Sequence, residues 1–275
     1  MAAVLALLSS LLVGSSDFLA GRLGRDVSAW AIAGVASAVA AVVFVIVGFA
    51  TQSMAFDHID VRAGVLTGVF LVVANGLYYS ALARGTMGVV GGIVATLVIV
   101  PVVVSLTHGV NLSTTTLVGI GVTLASAILL GAPEMRGGTK GTAVLLAAAA
   151  AILYGLSEVT DDVGSSDNLY GTLMVMEIAA AVIVGVLGLV TRSTGGLRRS
   201  AMPTLLVIGV FNAGSWACFA EATTMGDLAE VSVLSSLGPV VITLLAFFVL
   251  KQKLQPIQIV ALSGVLAGSA LVSLG

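Results

Sequence analysis

Ten apolar runs of membrane-spanning length, joined by segments too short to hold a domain, leave this chain few ways to fold. They lie at Val4–Ala20, Ser28–Ala50, Ala63–Ala83, Gly88–Thr107, Thr115–Gly131, Thr142–Thr160, Leu169–Val190, Pro203–Ala222, Leu228–Leu250 and Ile257–Leu274. A bilayer's hydrocarbon core is about 30 Å thick and takes about 20 helical residues to cross. Charged residues make up 9% of the chain and hydrophobic ones 59%, whereas about a quarter of a soluble domain is charged. Lipid offers no hydrogen bonds to the backbone, so apolar runs of this length cross as α-helices. The widest connection, around Thr191–Met202, is only a polar hinge. The first run lacks the positively charged leader of a cleaved signal peptide. It also has a counterpart at Thr142–Thr160, deep inside the chain, so it is expected to be a retained span. Cys218 is the sole cysteine, which excludes an intrachain disulfide and argues against a thiolate metal site.

The runs are written twice. Met87-Gly88 and Met225-Gly226 each open one, and a proline, Pro101 or Pro239, follows each at the same spacing. Gly14-Ser15-Ser16-Asp17 is echoed by Gly155-Leu156-Ser157-Glu158, and Gly121-Val122 with Ser126-Ala127 by Gly264-Val265 with Ser269-Ala270. The pairs Gly121/Ala125 and Gly264/Gly268 have the small-xxx-small spacing that lets helix backbones approach in lipid, and packing is their expected role. Five spans per unit is an odd number, so the second unit must enter the membrane from the other side. The predicted fold is an all-α membrane protein of ten transmembrane helices in two inverted five-helix repeats, 1–133 and 140–275.

Charge placement predicts an orientation. Odd-numbered loops hold Arg22, Arg25, Arg84, Arg136, Lys140, Arg192, Arg198, Arg199, Lys251 and Lys253. Even-numbered loops hold only Arg62, together with Asp57, Asp60, Asp161, Asp162, Asp167 and Asp227. The positive-inside rule then puts the odd loops in the cytoplasm and both termini outside.

The segment Ser16-Asp17-Phe18-Leu19-Ala20-Gly21 that ends the first span, and Ala81-Leu82-Ala83 approaching a hairpin, resemble EamA-like members of the drug/metabolite transporter superfamily. Leu237-Gly238-Pro239-Val240 followed by Lys251-Gln252-Lys253-Leu254 is similar to that family's final hairpin. The resemblance spans the chain in two EamA-like units. It implies ten helices, a central cavity, alternating access, and substrates such as amino acids, other metabolites, sugars or toxic organic molecules. The family's short acidic turn is Gly109-Val110-Asn111-Leu112 in one half and Leu250-Lys251-Gln252-Lys253-Leu254 in the other, and neither keeps the acid. The resemblance also implies cytoplasmic termini, opposite to the charge count.

A charge at a helix centre costs roughly 2.5–3.5 kcal/mol on insertion scales, so an acid there needs a reason. Asp17 and Glu158 occupy equivalent positions in the first and sixth spans, which inversion would put at opposite ends of one pathway. Each is a candidate to bind a proton or a cationic substrate group, or else a vestibule acid wetted from the loop or paired with Arg22. Glu177, inside the seventh span beside Met176 and Ile178, has no neutralising neighbour in sequence and is a candidate coupling acid or else a structural acid hydrogen-bonded to another helix. Asn75, Tyr78 and Tyr79 share a helix face, as do Asn212 and Trp216, and Tyr154 lies one turn before Glu158. Aromatic rings with a few hydrogen-bonding groups are the material of a small-molecule cavity, or of interface anchoring and gap filling. Pro101 and Pro239 each remove a helix hydrogen bond and mark a hinge or a static kink.

Direct ATP use is not expected, because Gly137-Gly138-Thr139-Lys140-Gly141 does not fit a phosphate loop. No metal-ligand spacing, cofactor motif or nucleophile–base pair occurs, so an enzyme is not expected, and basic residues are too scattered for nucleic acid. The expected function is a secondary transporter of a small organic metabolite or drug, proton-coupled or facilitative, in the plasma membrane. Its expected partners are the substrate, protons as a candidate coupling ion, and lipid, with a homodimer left open. A lipid-carrier flippase and a non-transporting scaffold or sensor are the alternatives.

Overall fold

The longest continuous helical stretch, Gly141–Thr191, has 51 residues. Straight, it would reach about 77 Å at 1.5 Å per residue, more than twice the thickness of a bilayer core. In the computed structural model it breaks at Asn168, whose φ of −143° and ψ of 84° leave the helical region. Residues eight apart on an unbroken helix stand about 12 Å apart. Here Thr172 Oγ1 lies 2.8 Å from where a Gly164 Cβ would sit, so the chain doubles back. The Asn168 side chain accepts the Gly171 N–H at 3.0 Å and so starts the second arm with its own cap.

The structure describes residues 1–24, 26–52, 57–85, 87–130, 141–192, 194–251 and 255–274. Arg25, Thr86, Arg136, Lys140, Gln252, Lys253 and Leu254, the Gly137–Lys140 segment and the repeat boundaries at 133 and 140 lie outside them. The helices are α1 (Ala2–Leu23), α2 (Ala29–Thr51), α3 (His58–Arg84), α4 (Met87–Val94), a 3-10 turn (Ala95–Val98), α5 (Ile99–Thr107) and α6 (Thr114–Leu130). The broken helix α7 (Gly141–Thr191, arms 141–167 and 169–191) follows, then α8 (Met202–Thr223), α9 (Leu228–Ser235), α10 (Gly238–Leu250) and α11 (Pro256–Leu274). No strand occurs among the described residues. Seven helical stretches are long and apolar enough to cross a membrane, with Val89–Thr107 and Leu228–Val249 each counted as one and Gly141–Thr191 counted whole. Two shorter apolar helices, Thr114–Leu129 and Pro256–Val272, accompany them.

Surface and interior have exchanged the chemistry of a soluble protein. Val4, Leu11, Ile46, Phe49, Leu189, Val190, Phe248 and Leu266 are all more than half exposed. Ser9, Ser37, Thr67, Asn75, Ser157, Asp161, Thr172, Glu177 and Ser232 are buried. Water selects the opposite arrangement. With hydrocarbon outside, the apolar rim costs nothing and polar groups turn inward to find partners.

Close helix approach depends on small residues. α3 lies along α7, α1 along α8, and α2 against both α7 and α8. A methyl group at Gly64 would stand 2.8 Å from the Thr172 carbonyl oxygen, and one at Gly68 would collide with that of Met176. α6 pairs with α11 through Gly119 and Gly268, each of which abuts the other's carbonyl, and through Thr123 and Ser126 against Gly268 and Gly264. This corrects the register expected from Gly121/Ala125. Gly121 has nothing within 4 Å, and Ala125 is exposed. The seam on α6 is Gly119, Thr123 and Ser126, an i, i+4, i+7 stripe in which hydroxyl residues take the small positions.

Loop contacts define two ends of the bundle. The Ser28 N–H donates to the Gly195 carbonyl at 2.7 Å, joining the α1–α2 connection to the α7–α8 connection. At the other end of α2, carboxylate oxygens of Asp57, Asp60 and Asp167 lie within 4.8 Å of one another, joining the start of α3 to the α7 elbow. Two of these acids have capping duties. Asp57 accepts the Ile59 and Asp60 N–H groups, while Asp60 accepts the Asp57 N–H in return, forming a capping box. Asp227 likewise caps α9 through the Ala229 N–H at 2.9 Å.

Candidate functional site

Pro101 has no N–H to give the carbonyl of Leu97, four residues earlier, and the helix becomes 3-10 across Ala95–Val98. The Leu97 carbonyl points at Gly155 on the first arm of α7, with its oxygen 2.5 Å from where a Cβ there would lie. The second half also sets a glycine against a proline-interrupted helix, though through a different carbonyl. α9 ends at Ser235, four residues before Pro239, and the Gly238 carbonyl oxygen lies 2.7 Å from a Cβ placed on Gly14. In each case an acid, Glu158 or Asp17, follows the glycine by three residues. One helical turn therefore sets a carboxylate beside each interruption.

Between these interruptions lies a cavity of about 100 Å³. Its walls come from both halves of the chain. α1 supplies Ser9, Val13 and Asp17, α3 supplies Leu71, Asn75 and Tyr78, and the first arm of α7 supplies Tyr154, Ser157 and Glu158. α8 adds Asn212, Ser215, Trp216 and Phe219, and the interrupted helices add Gly91, Val94, Ala95, Leu97, Ser235, Ser236, Gly238 and Pro239. Among the described residues this lining contains two carboxylates and no lysine, arginine or histidine.

Hydrogen bonds fix the side chains in the walls. The Tyr78 hydroxyl donates to Asp17 Oδ2 at 3.2 Å, and that of Tyr154 to Asn75 Oδ1 at 2.6 Å. The rings of Tyr78 and Tyr154 meet edge-on with centroids 6.0 Å apart, and Trp216 meets Phe219 in the same way at 5.6 Å. The hydroxyls of Ser9 and Ser215 are 2.9 Å apart and hold α1 to α8. One oxygen of Glu158, Oε2, is buried and makes no well-formed hydrogen bond. Asn75 is bonded to Tyr154, and Thr67 bonds Thr160 at 2.7 Å, so Glu158 stands between these two levels of α3. Measured from Tyr78, at 1.5 Å per residue, the two acids are separated by about 10 Å along the helix axes.

Of the residues singled out from sequence, Asp17, Asn75, Tyr78, Tyr154, Glu158, Asn212, Trp216 and Pro239 line the cavity. Tyr79 stands outside the lining, buried with its ring 5.6 Å from that of Tyr78. Glu177 is fully buried behind the wall, where its Oε1 accepts the Asn212 amide at 3.4 Å and the Ser37 side chain of α2 is its other polar neighbour. Pro101 is buried and outside the lining. Arg22 does not serve Asp17 as a counter-ion of the wall: its guanidinium lies over the Phe18 ring, 5.9 Å from the centroid. Sequence reasoning missed Ser9, Ser157, Ser215, Ser235, Ser236 and Phe219. A serine in lipid can bond its own helix, as Ser157 does to the Tyr154 carbonyl at 2.7 Å and Ser236 to that of Val233 at 2.9 Å. Composition alone therefore does not mark it as lining. A signal was available in Ser9, Val13 and Asp17, spaced i, i+4, i+8 on one face of α1.

A sequence model of the EamA-like transporter family matches residues 1–132 and again residues 141–274. No curated protein matches the chain. A solved structure described only as "Crystal structure of protein" superposes with a TM-score of 0.80 over 99% of this chain and 96% of that one. Its sequence identity is 20%, so the likeness is one of fold. The family match covers almost the whole chain, once in each half, and makes it an integral, multi-pass membrane protein; the chain belongs to the EamA-like transporter family, whose members are transporters rather than enzymes.

Proposed function

We propose that this protein is a secondary transporter that carries a small organic solute through the cavity by alternating access. Counting the two arms of α7 separately, with α4–α5 and α9–α10 as one span each and α6 and α11 added, gives ten segments. On this reading they form two inverted five-helix repeats, 1–133 and 140–275. The repeated pattern of glycine, carboxylate and proline-interrupted helix supports it, as does the meeting of odd loops at Ser28 and Gly195 away from the even loops at Asp57 and Asp167. Inverted repeats place solute sites midway through the bilayer, where interrupted helices meet. Basic residues favour a cytoplasmic position for the odd loops in the plasma membrane.

The observation that carries the proposal is the cavity itself: a chamber walled by both halves, with Asp17 and Glu158 in its lining. An acid inside a membrane protein marks an ion or solute path. In one access state Asp17 is wetted from the odd-loop side, and in the other Glu158 from the even-loop side. The interruptions at Ala95–Val98 and Ser236–Leu237 absorb the bending between states. Glu177 takes part through Asn212, whose amide it holds. Either a proton gradient or the solute's own gradient drives the cycle.

The test is a thermal-shift screen of purified protein against amino acids, sugars, nucleosides and amines, since a ligand that binds only the native state raises its apparent stability. Hits are then followed as uptake into proteoliposomes with and without a proton gradient. Asp17→Asn and Glu158→Gln are expected to abolish gradient-driven uptake while leaving the yield of folded protein intact. Wild-type uptake by both variants across the pH range would refute the assigned roles.

A further inference from the structure

We infer that the cavity selects organic cations carrying an apolar or aromatic body. The inference rests on the carrier reading above and names the solute class of that same site. Its first support is charge: among the described residues the lining holds Asp17 and Glu158 and no basic side chain. Arg22, the cation nearest Asp17 on its own helix, is exposed and engaged with the Phe18 ring. An anionic solute would meet two carboxylates in a low-dielectric chamber with nothing to neutralise it, and a like charge at close range costs several kcal/mol.

The second support is unmet bonding capacity. Glu158 is buried and lines the cavity, and although the Ser232 hydroxyl neighbours its carboxylate, its Oε2 makes no well-formed hydrogen bond. Buried carboxylate oxygens are ordinarily paired, and bonding capacity left over on a residue that lines a chamber is open to what enters it. Asp17 differs, because one of its oxygens already accepts the Tyr78 hydroxyl at 3.2 Å. Glu158 is therefore the primary anchor and Asp17 the second.

The third support is the ring set. Tyr78 and Tyr154 on one wall, and Trp216 and Phe219 on another, line the same space. Each pair is arranged edge-on, at 79° and 80°, so neighbouring rings do not stack face to face. Aromatic faces carry negative potential and attract a desolvated cation by about 0.5–2 kcal/mol each. A neutral sugar has little use for these groups. An ammonium on an apolar body is matched by carboxylate, ring and hydroxyl together.

The experiment compares benzyltrimethylammonium, benzyl alcohol and benzoate for binding to the full-length protein in nanodiscs of zwitterionic lipid. Calorimetry and tryptophan fluorescence provide the readout, with counterflow in proteoliposomes beside them. The cation is expected to bind saturably at least tenfold more tightly than the other two. Glu158→Gln should weaken it at least tenfold and Asp17→Asn by a smaller factor, while Asp26→Asn, which removes an exposed charge outside the cavity, should leave it unchanged. Equal or tighter binding of the alcohol or of benzoate overturns the cation assignment, as does absence of saturable binding by both benzyltrimethylammonium and tetramethylammonium. Cation binding without counterflow leaves the assignment standing and removes the carrier reading. Counterflow of a neutral solute alone does the reverse.

Discussion

Gly155→Ala tests how the interrupted helix α4–α5 is seated against the first arm of α7. A Cβ at position 155 would stand 2.5 Å from the Leu97 carbonyl oxygen and 2.7 Å from Val100 Cβ. Ordinary van der Waals contact begins near 3.4 Å, so one helix must retreat by about 1 Å. The carbonyl belongs to backbone and cannot rotate away as a flexible side chain would. Overpacking of this kind costs about 1–3 kcal/mol. Alanine also favours the helix over glycine by about 1 kcal/mol, which blurs a single measurement. Gly121→Ala supplies the control, because Gly121 is also helical, is exposed, and has nothing within 4 Å. The propensity gain is common to both variants and cancels in their difference. Equilibrium unfolding in mixed micelles, followed by the fluorescence of Trp30 and Trp216, should show Gly155→Ala less stable than Gly121→Ala by about 1–3 kcal/mol. Each 1.4 kcal/mol is tenfold in the folded-to-unfolded ratio. Because Gly155 lies one turn before Glu158, transport should fall further than stability does. Equal stability of the two alanine variants, within about 0.5 kcal/mol, would refute the tight seat of the Leu97 carbonyl against Gly155.

The 2.6 Å bond from Tyr154 to Asn75 should appear as a coupling of about 0.6–1.7 kcal/mol in a double-mutant cycle of Tyr154→Phe and Asn75→Ala, measured by the same unfolding assay. Strict additivity would mean the bond contributes nothing. Asp57→Ala removes the α3 cap and should lower stability by about 1 kcal/mol while leaving solute affinity unchanged; a change in affinity would assign Asp57 a role beyond capping. Gly68→Val drives a branched side chain into the Met176 carbonyl and is expected to reduce folded protein recovered from membranes, whereas wild-type recovery would contradict the close α3–α7 contact.

Much of this fold is legible in the sequence because lipid removes choices. A run such as Ser28–Ala50 can satisfy its backbone only as a helix, and α2 (Ala29–Thr51) follows it nearly residue for residue. The break at Asn168 is legible as well, since no bilayer accommodates the 51 residues unbroken. Rotation of each helix about its axis is harder to read. In water the polar face points out and reveals orientation, but here both faces are largely apolar. Lining and packing positions differ only by a hydroxyl or a missing methyl. That is why Gly121 and Ala125 looked like a seam when Gly119, Thr123 and Ser126 form it.

The same ambiguity divided the acids. Asp17, Glu158 and Glu177 all interrupt apolar runs, and nothing local to Glu177 tells a chamber from a helix interface. Its surroundings are set by Asn212, 35 residues away on α8. Duplication resolves more than local chemistry does. Asp17 and Glu158 share a position relative to Gly14 and Gly155, and those glycines share a role against the two interrupted helices. Glu177 has no acidic counterpart in α2, whose buried Ser37 is instead its side-chain neighbour. A feature present in both halves must tolerate opposite placement in the membrane, which packing alone does not demand and a two-sided path does. Asp17 and Glu158, repeated and lining one chamber, are therefore the acids whose substitution tests the proposed path, and Glu177 is the acid bonded to Asn212 behind its wall.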